Sequence, residues 1–185
     1  MALLESITIP LGTKMPAFDL KDPHGKNYKS RDLAGENGLL VVFTCNHCPY
    51  AMAVWPRVVR LAGHARPLEI NTIAINPNIN PDYPDDAPEK MIGKIKELKI
   101  DFPYLVDESQ EVARAFKARC TPDIYLFDKN QELVYHGRID DNWQNETKVT
   151  QEELKKAIDH LAAGQPVDPH QKPSMGCSIK WLNSR

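Results

Sequence analysis

No apolar stretch in this 185-residue sequence approaches the ~20 residues that a membrane-spanning helix needs, so insertion of that kind is excluded. An excess of charge of one sign is also missing. Twenty-three basic against twenty-five acidic side chains leave a formal net charge of −2, with no long basic run to neutralise phosphates, so nucleic acid is not an expected partner. Nine glycines and fifteen prolines fall far short of the ~25–30% that marks a low-complexity chain, so the prolines punctuate a fold. Cysteine is scarce. Four thiols are too few for a disulfide-stapled secreted scaffold, and Met1 to Ser6 offers neither a basic n-region nor a long apolar h-region. The expected compartment is the cytoplasm, where closely spaced cysteines signal redox chemistry or metal rather than a permanent bridge.

What is present is ordinary for a globular domain: 42% hydrophobic and 26% charged residues. The length points to one core, read as a single domain over 1–163 with a tail, 164–185, docked on it. Leu39-Leu40-Val41-Val42-Phe43 reads as a strand buried on both faces, and Ile70–Ile75 as a second. Between them a helix from Pro49 to about Ala62 turns Met52, Trp55, Val58, Val59 and Ala62 inward, with Pro56 in mid-helix.

Residues 76–88 carry four prolines and three aspartates and read as an exposed acidic loop around Asp82, Asp85 and Asp86. Asp86 is expected to cap the helix that follows, whose inward face is Met91, Ile92, Ile95 and Leu98. A short strand over 102–106 and a short helix opened by Ser109 follow. Ile124–Phe127 and Leu133–His136, joined by five turn-forming residues, predict a β-hairpin. Thr150 and Glu153 are spaced as a capping box for the last helix. An N-terminal hairpin is expected around Asp22-Pro23-His24-Gly25. This order predicts an α/β fold with an antiparallel edge on its sheet.

The sharpest feature is Cys45-Asn46-His47-Cys48, where a buried strand hands over to a helix. A thiol at a helix N-terminus feels the positive end of the macrodipole and unpaired N–H donors, which favour thiolate; Cys45 is the expected nucleophile. Two cysteines at this spacing close a small disulfide ring, so Cys48 is placed to attack a mixed disulfide on Cys45 and release reduced product. Asn46 and His47 are candidate modulators of this chemistry. His47 is either a further stabiliser of thiolate or a loop residue without a task. The remaining histidines, His24, His64, His136, His160 and His170, have no ligand spacing.

Further along, Arg119-Cys120-Thr121-Pro122-Asp123 precedes the hairpin. Base rates alone leave the Thr121–Pro122 bond trans. Together, the strand-Cys-x-x-Cys-Pro-helix, Pro56, Thr121-Pro122 and the final helix resemble the thioredoxin-fold superfamily. Phe43-Thr44 to Cys48-Pro49 and Leu126-Phe127-Asp128 are similar to the peroxiredoxin-like redoxin branch of the alkyl hydroperoxide reductase/thiol-specific antioxidant group, over residues 10 to 163. The resemblance implies a central mixed sheet with helices on both faces, an N-terminal hairpin extension and a C-terminal tail. It further implies Cys45 as attacking thiol, Cys48 as resolving thiol, Pro122 as a cis-proline facing them, and Thr121 offering backbone hydrogen bonds to an extended substrate. In peroxiredoxins a proline and a threonine stand seven and three residues before the peroxidatic cysteine, which corresponds to the second of a thioredoxin pair. Measured from Cys48, Val41 and Cys45 hold those places. That departure counts against efficient peroxide reduction.

The first expectation is therefore a thiol–disulfide oxidoreductase acting on a disulfide-bearing protein or small molecule. It needs a separate reductase as electron donor and no cofactor. A thiol-dependent peroxidase is the alternative, and a metal-binding or copper-delivery protein built on the cysteine pair is a third. Cys120, two residues from Pro122, and Cys177, in a tail segment with Ile179 and Trp181, are each either a further redox thiol or a packing residue.

Overall fold

The computed structural model describes residues 3–182. Its strands are β1 (Leu3–Glu5), β2 (Asp19–Lys21), β3 (Asn27–Lys29), β4 (Gly38–Phe43), β5 (Ile70–Asn76), β6 (Tyr104–Val106), β7 (Cys120–Thr121), β8 (Asp123–Asp128), β9 (Leu133–His136) and β10 (Met175–Ser178). Its helices are α1 (Pro49–Ala65), α2 (Pro88–Leu98), α3 (Glu111–Ala115) and α4 (Glu153–Ala162).

β4 is apolar from Leu39 to Phe43 and buried throughout because it runs through the middle of a seven-stranded mixed sheet, ordered β3-β2-β6-β5-β4-β8-β9. It pairs parallel with β5 and antiparallel with β8. Alternation along β4 feeds two cores. Leu40 and Val42 pack with Val54, Trp55 and Val58 of α1 and Leu154 and Ile158 of α4. Leu39, Val41 and Phe43 face the other way, with Phe18, Val112 and Phe116. Phe43 and Phe116 meet edge to face at 5.2 Å. The fold is thus the expected thioredoxin-like α/β architecture, with the N-terminal hairpin formed by β2 and β3.

A second, three-stranded sheet is ordered β1-β10-β7. It closes the chain's two ends onto Cys120 and Thr121: Cys177 lies opposite Thr121, and Leu3 opposite Cys177 on the other side.

Three local expectations are corrected. Met52 is 48% exposed, because the buried stripe of α1 runs through Ala51, Val54, Trp55, Val58 and Ala62, one position over. Asp86 neither caps α2 nor faces solvent: Ala87 is the cap, and the Asp86 carboxylate turns inward to meet buried donors. Thr150 does not cap α4, which begins at Glu153; its N–H instead donates to the Asp141 carboxylate at 2.8 Å.

Candidate active site

β4 delivers the chain to Thr44 and Cys45, and α1 begins at Pro49 with Cys48 as its N-cap in extended conformation. The short Asn46-His47 link leaves both thiols under the first turn of α1. Both are wholly buried. The Thr121–Pro122 peptide is cis. Thr121 touches both sulfurs: its hydroxyl lies 3.2 Å from Cys45 Sγ, and its carbonyl accepts from the Cys48 thiol at 3.2 Å. Trp55, one helical face further on, donates its indole N–H to the Cys45 carbonyl at 3.2 Å.

Strand β10 adds a third sulfur. Cys177 packs with Cys45, Cys48 and Ala51 in a small apolar group covered by Tyr50. Tyr50 stacks on Trp143 at 3.9 Å, so the polar insertion after β9 roofs the site. Cys120 stays outside this group, its thiol donating to the Pro122 carbonyl at 3.4 Å, and burial pushes its pKa up. Neighbouring strand positions point to opposite faces, which is why Thr121 meets the thiols and Cys120 does not.

The two thiols sit in different electrostatic surroundings. Cys48, not Cys45, occupies the helix N-terminus. Interaction with the Cys45 side chain first, then with Cys177 and the backbone of Ala51, favours the Cys48 thiolate. Together these contacts outweigh burial and hold Cys48 down at about 5. Cys45 moves well up from its ordinary value: burial acts first, then its donation to Cys48, then the Asp86 charge. Cys177 is pushed up to about 12 by burial and by its own bond to Cys48.

The Asn46-His47 link is anchored from the loop before α2. Asp86, fully buried, accepts the Asn46 N–H at 2.6 Å and the Asn76 side-chain amide at 3.1 Å, and its second oxygen pairs with His47 Nδ1. The Tyr104 hydroxyl donates to the Asn46 side-chain carbonyl at 3.1 Å, and Tyr83 lies against the His47 ring at 4.8 Å. Asp86 and Tyr104 are the functional neighbours that sequence reasoning missed. The only sequence signal for Asp86 was an aspartate in a loop, which spacing cannot tell from a solvated one. Cys45 Sγ, a His47 ring nitrogen and an Asp86 oxygen lie within 4.8 Å of one another. Asp86 is committed to its donors and Cys45 Sγ to Thr121, while His47 Nε2 is buried without a partner. Beside Pro122 opens a cavity of about 230 Å³, lined in part by Val54, Ile124, Trp143 and Met175.

A cis-proline facing a dithiol at the start of the first long helix, on this sheet, defines a thioredoxin-like redox protein. Residues 11–136 match the AhpC/TSA family, and the chain belongs to it. It is similar over its whole length to an uncharacterized conserved protein from Geobacillus kaustophilus, at 43% identity and a TM-score of 0.95, covering 100% of this chain and 99% of that one. A hypothetical protein from Sinorhizobium meliloti is 36% identical over 97% of this chain and 99% of its own, with a TM-score of 0.92. Peroxidoxin BcpB from Mycobacterium tuberculosis shares the fold at 16% identity and a TM-score of 0.61, over 84% of this chain and 98% of its own. No curated protein matches the chain in sequence.

Proposed function

We propose that the protein is a thiol–disulfide oxidoreductase in which Cys48 attacks and Cys45 resolves. The observation that carries this reading is the position of Cys48 as the N-cap of α1 with Cys45 packed beside it, where Cys48 is held down and burial pushes Cys45 up. The Cys48 thiolate attacks one sulfur of a substrate disulfide, whose other half leaves as a thiolate. Cys45 then gives up its proton to His47, attacks the Cys48 sulfur, and displaces the rest of the substrate as a second thiolate. Two electrons pass to the substrate, a Cys45–Cys48 disulfide remains, and a separate reductase must reopen it. Because burial, and then Asp86, push the Cys45 thiol up, the resolving step needs a base, and the His47 ring nitrogen within 4.8 Å of Cys45 Sγ supports giving His47 that role.

One observation favours a second reading. The low-pKa sulfur is Cys48, in the place where peroxiredoxins carry the peroxidatic cysteine. There the thiolate would attack a peroxide oxygen, the O–O bond would break, and Cys45 would condense with the resulting sulfenic acid and release water. Val41 and Cys45 in place of proline and threonine argue against it.

Turnover of a disulfide reporter and of hydrogen peroxide, each with dithiothreitol as donor, separates the two. Cys48→Ser should abolish turnover, and Cys45→Ser should stall with substrate attached to Cys48. Full turnover by Cys48→Ser would sink both readings. A kcat/KM for peroxide above that for disulfides would put the second in place of the first.

A further inference from the structure

Thiol–disulfide exchange at a cis-proline site works on an extended partner strand that pairs with the backbone beside the proline, which is β-augmentation used to present a sulfur. Here the chain itself fills that place. β10 runs antiparallel to β7, with Cys177 directly opposite Thr121 and Ser178 opposite Cys120. The approach is very close at Gly176, where a Cβ would lie 2.1 Å from the Thr121 carbonyl oxygen and 3.0 Å from the Pro122 nitrogen, so only glycine lets the strand settle there. The strand is held on its outer edge by β1 and beyond its end by the Lys180 N–H, which donates to the Asn78 side chain at 2.8 Å. The residue this strand presents to the site is a cysteine. Its side chain packs against Cys45 and Cys48, and at 3% exposure it is the least buried cysteine of the three, Cys45 and Cys48 being at 0%.

We propose that Cys177 is a third redox-active thiol, carried on β10 as a built-in substrate strand, and that it exchanges with Cys48 to form a Cys48–Cys177 disulfide. This rests on the dithiol reading above and extends it into a relay. Starting from the oxidised pair, Cys177 loses its proton to solvent and its thiolate attacks Cys48 Sγ. The Cys45–Cys48 bond breaks, and Cys45 leaves as a thiolate that takes up a proton. One disulfide replaces another, with no net change in electrons, so no further oxidant is needed. Cys48 is shared by both bridges because it packs with both of the other cysteines. The result is to carry the disulfide from the most deeply placed sulfur pair toward the strand nearest the surface. There a reductase can reach it by displacing β10 rather than by opening the core.

The test uses the full chain, oxidised across a series of glutathione poises, acid-quenched, alkylated, and mapped by peptide mass spectrometry. In Cys45→Ser, the expected product is an intramolecular Cys48–Cys177 bridge in most molecules at oxidising poise. In Cys177→Ser, the Cys45–Cys48 bridge should form as in wild type. Gly176→Ala, which forces β10 away from Thr121, should reduce the yield of the Cys48–Cys177 bridge several-fold while leaving Cys45–Cys48 intact. If Cys45→Ser gives only glutathione adducts on Cys48, and wild type and Cys177→Ser both close Cys45–Cys48 with no Cys48–Cys177 peptide in any of them, the relay is overturned and the dithiol reading stands. Failure of Cys177→Ser to close Cys45–Cys48 overturns the dithiol reading itself.

Discussion

The Asp86 carboxylate accepts the backbone N–H of Asn46 at 2.6 Å, tying the link between the two cysteines to a loop forty residues away. The same carboxylate takes the Asn76 amide and pairs with His47, all out of contact with water. Asp86→Ala strands these donors, and each unsatisfied buried donor costs roughly 1–3 kcal/mol. The expected loss of stability is at least about 2 kcal/mol by urea denaturation, with Asp86→Asn falling between mutant and wild type. Removing the charge should also lower the Cys45 pKa, since Asp86 raises it. A variant as stable as wild type would mean the loop is held by something else.

That contact shows where the sequence was legible and where it was not. β4, β5 and the β8–β9 hairpin were readable because burial on both faces leaves continuous apolar runs, and turn residues mark the ends. The Cys45/Cys48 pair and Thr121–Pro122 were readable as spacing and resemblance. Which sulfur has the lower pKa was not, because that depends on the burial, packing and charge around each thiol rather than on their spacing. Asp86 was misread because loop composition says nothing about which way one carboxylate points. The placing of Cys177 against Cys48 depends on a strand pairing with a segment more than fifty residues earlier, and local pattern carries no such information.

The Cys48 pKa is open to direct titration. Absorbance at 240 nm of the reduced protein should report one thiolate lost as pH falls through about 5, and Cys48→Ser should remove that step. Because interaction with Cys45 is the largest influence lowering Cys48, Cys45→Ala, which leaves no donor there, should move the midpoint upward. The sign for stability follows from the depressed value. Between about 5 and the ordinary 9.0 the unfolded chain binds one more proton than the native state, so stability relative to Cys48→Ser rises with pH across that window and is lost as pH falls through about 5. Above 9 the raised Cys45 and Cys177 work in the opposite direction. A reduced protein whose 240 nm step lies near 9 would contradict the arrangement of donors described above.

Trp55 should report the redox state. Its indole N–H is bonded to the Cys45 carbonyl at 3.2 Å and its ring packs edge to face on Tyr104 at 5.2 Å, so forming a disulfide at Cys45 alters both its hydrogen bond and its quenching. Tryptophan emission should change on adding dithiothreitol to oxidised protein. The change should vanish in Trp55→Phe while persisting in Trp143→Phe. Loss of the signal in Trp143→Phe instead would place the reporter in the roof of the site rather than beneath it.

The roof depends on a buried ion pair. Arg57, on α1, bonds the Asp140 carboxylate at 2.5 Å and also donates to the carbonyls of Asn142 at 2.9 Å and Trp143 at 2.5 Å. Both partners are 6% exposed. One guanidinium therefore holds the 140–143 segment, and with it Trp143 and the Tyr50 ring that covers the sulfurs. Asp140→Ala leaves that guanidinium buried without a counter-charge, which costs roughly 3–5 kcal/mol, while replacing both partners by apolar residues of similar size costs much less. Urea denaturation should rank wild type and Arg57→Met/Asp140→Leu together, well above Asp140→Ala. Alkylation of Cys48 by iodoacetamide should run the other way, fastest in Asp140→Ala, because loosening 140–143 frees Tyr50 and admits the reagent. Equal alkylation rates in Asp140→Ala and wild type would show that reagents reach the sulfurs by lifting β10 instead, with the Tyr50–Trp143 roof left in place.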